Sequence, residues 1–205
     1  MKNLVLLFLF ITWFSNAQKS SNYTISINGK EFSYNLGEEF KYEVKKKGTL
    51  SISINQNEML TYNDGIVSFS HSKNFPVSET TIEDGIKQIS AVGSSGIGVI
   101  IQEYQGIDPS FMLELMLNEV TKESIEYGYE ETKSPFELTL EDGKILTGKK
   151  SVLEYQGSID EWTILYYSWK DAGVLIITMS VDDNNMNKEN NYIQEFFDSL
   201  EILVD

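Results

Sequence analysis

Residues 162–181, WTILYYSWKDAGVLIITMSV, hold two apolar runs on either side of the turn Asp171-Ala172-Gly173. In an extended chain successive side chains point to opposite faces. Trp162, Ile164 and Tyr166 therefore share one side of the first run, and Leu165, Tyr167 and Trp169 the other. In the second run Leu175, Ile177 and Met179 lie opposite Val174 and Ile176. Neither run has a polar face. Such strands belong inside a sheet that is covered on both sides. The rest of the chain must then supply two covers.

Working outward, Phe136, Leu138 and Leu140 alternate from Pro135 to the turn Glu141-Asp142-Gly143, and Ile145 to Tyr155 follows as a further strand. On the other side Tyr192, Phe196, Phe197 and Leu200 are spaced as a closing helix, with Ile202 and Leu203 trailing from it. Asp108-Pro109 places a cap and a first-turn proline before FMLELMLNEV, residues 111–120. Seven of those ten residues are apolar, more than one face needs, so this helix is expected to be substantially buried, by its own fold or by a partner. Ile82, Ile86, Ile89 and Val92 predict another helix over Thr80–Val92, capped by Ser78 or Thr80 and stopped at Gly93-Ser94-Ser95-Gly96, before a strand from Ile97 to Tyr104.

The first part of the chain reads as a meander of strands with one buried face. Tyr23, Ile25 and Ile27 alternate into the Asn28-Gly29 hairpin turn. Phe32, Tyr34 and Leu36 follow, then Phe40, Tyr42 and Val44, then Leu50, Ile52 and Ile54. Asn63-Asp64-Gly65 turns the chain into Val67, Phe69 and His71. The fold class is α+β: an α/β/α-type sandwich around a mostly antiparallel sheet, with extra N-terminal strands.

Composition limits the chemistry. The 205 residues include 16 Lys, no Arg, 31 Asp and Glu, one His and no Cys, for a net charge of −15. Such a chain repels nucleic acid and anionic lipid, and suits a basic partner. The absence of cysteine excludes disulfides, thiolate metal sites, cysteine nucleophiles and lipid attachment at a thiol. Residues 1–17, MKNLVLLFLFITWFSNA, have the form of a cleavable signal peptide: Lys2, an apolar run from Leu4 to Phe14, and small residues at Ser15 and Ala17 before Gln18. The run is shorter than the roughly 20 residues of a membrane-spanning helix. The expected mature chain is a single domain, 18–205, periplasmic or extracellular, with no membrane span after cleavage and no lipid anchor.

The second half carries a recurring set of phrases. These are Leu146-Thr147-Gly148 with Leu153-Glu154-Tyr155, the aromatic strand Trp162–Trp169, Ile177-Thr178-Met179-Ser180, and Phe196-Phe197-Asp198-Ser199-Leu200. Over residues 108–204 this pattern resembles the Mog1/PsbP-like family. The resemblance implies binding to another protein rather than catalysis. Similar proteins attach to photosystem II, bind a small GTPase or act as chaperones for secreted effectors. No binding motif of the family carries over residue by residue.

Candidate sites are correspondingly few. For protein contact the aromatic and apolar residues Trp162, Tyr166, Trp169, Phe111 and Met112 stand out. An envelope hydrolase would use paired carboxylates, for which Asp160-Glu161 beside Trp162 is the candidate, although the pair reads as a solvated turn. A small-ligand or calcium carrier would use Asp182 and Asp183 with Asn184-Asn185, without the spacing or glycine of an EF-hand loop. His71 reads as a hydrogen-bonded strand-end residue rather than a catalytic base. Gly93–Gly98 lacks the strand–loop–helix order of a phosphate loop. Lys45-Lys46-Lys47 reads as a solvated hairpin end. No cofactor is expected.

Overall fold

The structure, a computed structural model, describes residues 21–44, 49–93, 96–181 and 191–204. The expected signal segment, the Lys45–Lys47 run and the Asp182-Asp183 pair lie outside the described residues. In chain order the strands are β1 (Tyr23–Ile27), β2 (Lys30–Tyr34), β3 (Ile52–Gln56), β4 (Met59–Asn63), β5 (Val67–Ser72), β6 (Val77–Glu83) and β7 (Ile86–Val92). They continue as β8 (Gly98–Gln105), β9 (Glu130–Thr139), β10 (Ile145–Tyr155), β11 (Ser158–Trp169), β12 (Ala172–Val181) and β13 (Glu201–Ile202). A 3-10 turn, Pro109–Phe111, leads into α1 (Met112–Tyr127), and α2 (Tyr192–Ser199) precedes the last strand.

The large sheet runs β6-β7-β8-β12-β11-β10-β9, with antiparallel neighbours throughout. The two runs apolar on both faces are its inner strands β11 and β12. On one face Ile164, Leu175 and Ile177 bury against Leu117 of α1, with Trp162 and Tyr166 packed alongside. On the other, Leu165, Val174 and Ile176 bury against Val67 and Phe69 of β5, Phe196 of α2 and Ile202 of β13. That second cover is mixed rather than helical, because α2 lies beside a small sheet ordered β13-β5-β4. Ile202, expected to trail from the last helix, instead pairs with Val67 as a strand.

The largest departure from the sequence reading is Thr80–Val92, which is a β-hairpin and not a helix. Asp84-Gly85 forms its turn, with Glu83 paired to Ile86 and Gly85 at φ +81°. Aspartate-glycine supplies the positive φ that a two-residue hairpin turn needs. β7 then alternates: Ile89 and Ala91 enter the core beneath β5 and α2, and Ile86 packs on the α1 side. Isoleucines at 82, 86, 89 and 92 fit a helical stripe, but the β-branched residues and the turn dipeptide decide the outcome.

The extra N-terminal strands form a third sheet, β2-β1-β3, with Asn28-Gly29 between β1 and β2. Phe40–Val44 is not a strand. Its rings lie edge-on to that sheet, Phe40 at 5.4 Å and Tyr42 at 5.8 Å from Phe32, so the alternating apolar residues cover the sheet instead of extending it. The Asn22 side chain joins this sheet to β4, accepting from the Thr61 amide at 2.8 Å and donating to the Thr61 carbonyl at 3.3 Å.

The Leu-x-Gly phrase has a steric basis. Gly148 on β10 sits against the backbone of its β11 partners, and a Cβ there would lie 1.9 Å from the carbonyl oxygen of Ile164. Backbone cannot yield as a side-chain tip does. Gly148→Ala is therefore expected to destabilise the protein by about 3 kcal/mol, a fall of roughly 6–12 °C in Tm for a chain of this size. A thermal melt of the purified variant within about 2 °C of wild type would contradict the packing described.

Candidate functional site

α1 is placed by its first turn. The Asp108 carboxylate accepts from the Ser110 amide at 2.9 Å and from the Ser168 hydroxyl at 2.6 Å, which ties the cap to β11. The Ser168 bond, then the Ser110 bonds, hold the Asp108 carboxyl below the usual carboxylate range. Pro109 lies directly over Gly173, where any Cβ would come within 2.6 Å of the ring. The helix therefore rests on the sheet through small residues at one end, and ends at Gly128.

The inner face of α1 uses Met112, Leu113, Met116, Leu117 and Val120. The fold covers this inner face but not the outer one, so of the two expected routes to burial the chain's own fold accounts for one face. Phe111 is 65% exposed and Leu115 58%, and Ile125 and Tyr127 are exposed as well. Phe111, in the 3-10 turn, and Leu115 lie about one turn apart on the outward side, and Ile125 lies further along that side. Glu114, Glu119, Glu123 and Glu126 flank that side, and Lys122 is the one base on the helix. Beyond its C-terminal end Tyr155 stands 5.3 Å from both Tyr127 and Tyr129.

The contact candidates divide accordingly. Met112, Trp162 and Tyr166 meet in the half-buried layer between α1 and the sheet. Trp169 packs with Tyr167 on the opposite face. Phe111 alone projects outward.

The carboxylate candidates do not form a pair. Asp160 and Glu161 lie within β11, not in a turn, so their side chains leave on opposite faces. Asp160 is buried, and Glu161 pairs with Lys150 at 2.8 Å. A glycosidase needs two carboxyls facing one cleft. His71 is buried at the end of β5, with Nδ1 2.9 Å from the Phe75 carbonyl oxygen and 3.1 Å from that of Ser72. Facing two acceptors, Nδ1 carries the proton and donates. The Gly93–Gly98 segment lies between β7 and β8, and no described helix begins there to face an anion. Among the described residues no group of three or more His, Asp or Glu side chains is placed to hold a metal. Also among them, no helix is long and apolar enough to cross a membrane.

One charged cluster escaped the sequence reading. Lys87 on β7 and Glu103 on β8 face each other in register. The Lys87 ammonium bonds to Glu103 at 2.9 Å and to Asp64 in the β4–β5 turn. Asp64 also accepts from the amides of Ile66 and Val67 at 2.9 and 3.0 Å and from the Tyr62 hydroxyl at 3.0 Å. The cluster fastens the small sheet to the large one. Burial acts to raise the Asp64 carboxyl, but the bonds from Lys87 and the backbone outweigh it and hold it well below the usual range. Glu103 is 3% exposed. Burial first, then the neighbouring Asp64, push its carboxyl up to about 7 against the opposing pull of Lys87. Burial and Asp64 likewise raise the Tyr62 phenol. Once residues 80–92 are read as a hairpin, the facing Lys87 and Glu103 are visible in the sequence. The approach of Asp64 is a tertiary event that no spacing announces.

No family model and no curated protein matches the chain. Among solved structures it is similar to the Ran-binding protein Mog1p of Saccharomyces cerevisiae, with 9% sequence identity and a TM-score of 0.40, covering 72% of this chain and 96% of that one. The likeness is slight. It brings neither a partner nor a residue role to this chain.

The cluster makes stability depend on pH. Glu103 rises from an ordinary 4.5 to about 7 in the folded protein, so its contribution is full below pH 4.5 and is lost as pH rises through 7. Asp64 acts in the opposite sense, with a contribution present above pH 3.8 and lost on acidification. Between pH 4.5 and 7 the Glu103 contribution should shrink by roughly 3 kcal/mol. Denaturant titrations of wild type and Glu103→Gln across that range should differ by this slope. Parallel pH profiles for the two proteins would contradict it.

Proposed function

We propose that the protein is an exported, non-enzymatic binding protein that engages another protein through the outer face of α1. The observation that carries this reading is the exposure of Phe111 and Leu115 one turn apart, with Ile125 further on, at the start and along a helix whose opposite face is already committed to the sheet. Large apolar side chains aligned in solvent mark contact surfaces. The glutamates beside them favour a partner with an apolar ridge flanked by Lys or Arg. The signal-like segment 1–17 supports export, which places the encounter in the periplasm or outside the cell.

The test uses the chain expressed with its own residues 1–17, recovered from the exported fraction and weighed to establish cleavage before Gln18. A photo-cross-linker at position 122, between Leu115 and Ile125 on the outer face, would capture and map the partner. Phe111→Asp and Leu115→Asp should each weaken that complex by about 2 kcal/mol, roughly 30-fold. Their effect on stability should stay within about 0.5 kcal/mol. Complex formation that rises with salt, or that survives both substitutions together, would rule the α1 face out.

A further inference from the structure

Strand β3 is exposed along its whole length. It ends the sheet β2-β1-β3 and, among the described residues, pairs only with β1. Its flanking bonds show which way its backbone points. The Asn28 amide donates to the Ser51 carbonyl and the Asn57 amide to the Asn22 carbonyl, both on the β1 side. Backbone direction alternates along an antiparallel strand. Ser53 and Asn55 therefore also turn toward β1, while Ile52, Ile54 and Gln56 turn their N–H and C=O groups outward. The isoleucine side chains are open too. Ile54 pairs with Ile25 and Ile52 with Ile27, so the four share a face. Ile25 and Ile27 are buried there, but Ile52 and Ile54 are 56% and 60% exposed. Phe40 and Tyr42 pack on Phe32 of β2 and leave the β3 side of that face in solvent.

An open strand edge invites pairing with another chain, and proteins ordinarily guard it with charge, proline, shortness or a cover. The other terminal strands here are guarded in these ways. β2 carries Lys30 and Glu31, β6 carries Glu79 and Glu83, and β9 carries Glu130, Glu131, Lys133, Glu137 and Pro135. β13 has only two residues. The edge of β4 is occupied at Thr61 by the Asn22 side chain. β3 alone has none of these devices, and no charge or proline occurs from Thr49 to Asn57.

We propose that β3 pairs with β3 of a second copy of this chain, antiparallel about a two-fold axis at Ser53, joining the two small sheets edge to edge. Two observations favour a second copy over a foreign strand. With a net charge of −15, copies repel over most of their surface, and this neutral seam is where they can approach. The Ile-Ser-Ile pattern is also its own complement, as an isologous contact requires. Ile52 of each copy meets Ile54 of the other as a pair that exchanges backbone hydrogen bonds, with the isoleucines side by side on one face. Ser53 meets Ser53 as a non-hydrogen-bonded pair, whose Cα atoms lie about 4.5 Å apart. One short strand gives a small interface, so the association is weak and reversible. The seam is separate from α1, so the proposal stands whether or not a protein docks there.

The chain has no cysteine, so Ser53→Cys supplies a single thiol at the axis. Protein recovered from the exported fraction and treated with copper phenanthroline as oxidant should form a disulfide-linked dimer. Asn55→Cys, on the same face but off the axis, should do so at least about tenfold more slowly. Sedimentation equilibrium of the cysteine-free protein up to about 500 µM should show a monomer–dimer equilibrium, weakened at least tenfold by Ile54→Lys with Tm unchanged. A monomer throughout that range would overturn the proposal. So would equal cross-linking at positions 53 and 55, which marks random collision, or a dimer that survives Ile54→Lys and is lost with Leu115→Asp, which marks contact through α1. Slow hydrogen exchange of the Ile52 and Ile54 amides in dilute, monomeric protein would also overturn it, because the edge would then be covered within one chain.

Discussion

Ile176 and Ile177 are neighbours on β12, point to opposite sides of the sheet, and are both buried, at 0% and 2% exposed. This adjacency governs the rest of the molecule. A strand with no polar face requires a layer above and a layer below, and the chain builds them from different materials. Among the described residues α1 and the 3-10 turn that leads into it serve one side. On the other, α2 shares the work with β4, β5 and β13. The unequal covers have unequal consequences. The composite layer needs fastening, which the Asp64–Lys87–Glu103 cluster supplies, and it creates a second sheet face outside the core. The single helix needs only one of its faces, which leaves the other free.

Much of this was legible in the sequence because it rests on local periodicity. The two-sided runs at 162–169 and 174–181 announced the central strands, the Asp108-Pro109 start announced α1, and Asn28-Gly29 announced a hairpin. The error at Thr80–Val92 arose where two periods competed. Four isoleucine and valine positions fit a helix, while Asp84-Gly85 and the flanking Thr, Ser and Ile residues fit a hairpin. Turn chemistry and β-branching prevailed. The expected burial of α1 by its own fold held for one face only, for a different reason: apolar composition gives the amount of hydrophobic surface, but not which layer covers it.

The candidate site was legible only in part. Phe111 and Met112 were singled out together, and the structure separates them, one outward and one inward, because adjacent helical positions are about 100° apart. Trp162 and Tyr166 are committed to the layer beneath α1. Leu115 and Ile125 were not distinguished from their buried neighbours, since apolar residues on both faces of a helix look alike in sequence. The buried charge cluster depends on approach between segments far apart in the chain, which single-sequence patterns do not encode.

The central claim is that α1 has one structural face and one free face. It is tested most directly by truncating two leucines of that helix, two positions apart. Leu117→Ala should cost about 3 kcal/mol in denaturant unfolding of the isolated protein. Leu115→Ala should change stability by less than about 0.5 kcal/mol. Comparable losses from both would mean that the outer face is already covered in the free protein, and the account of α1 as an open contact surface would be wrong.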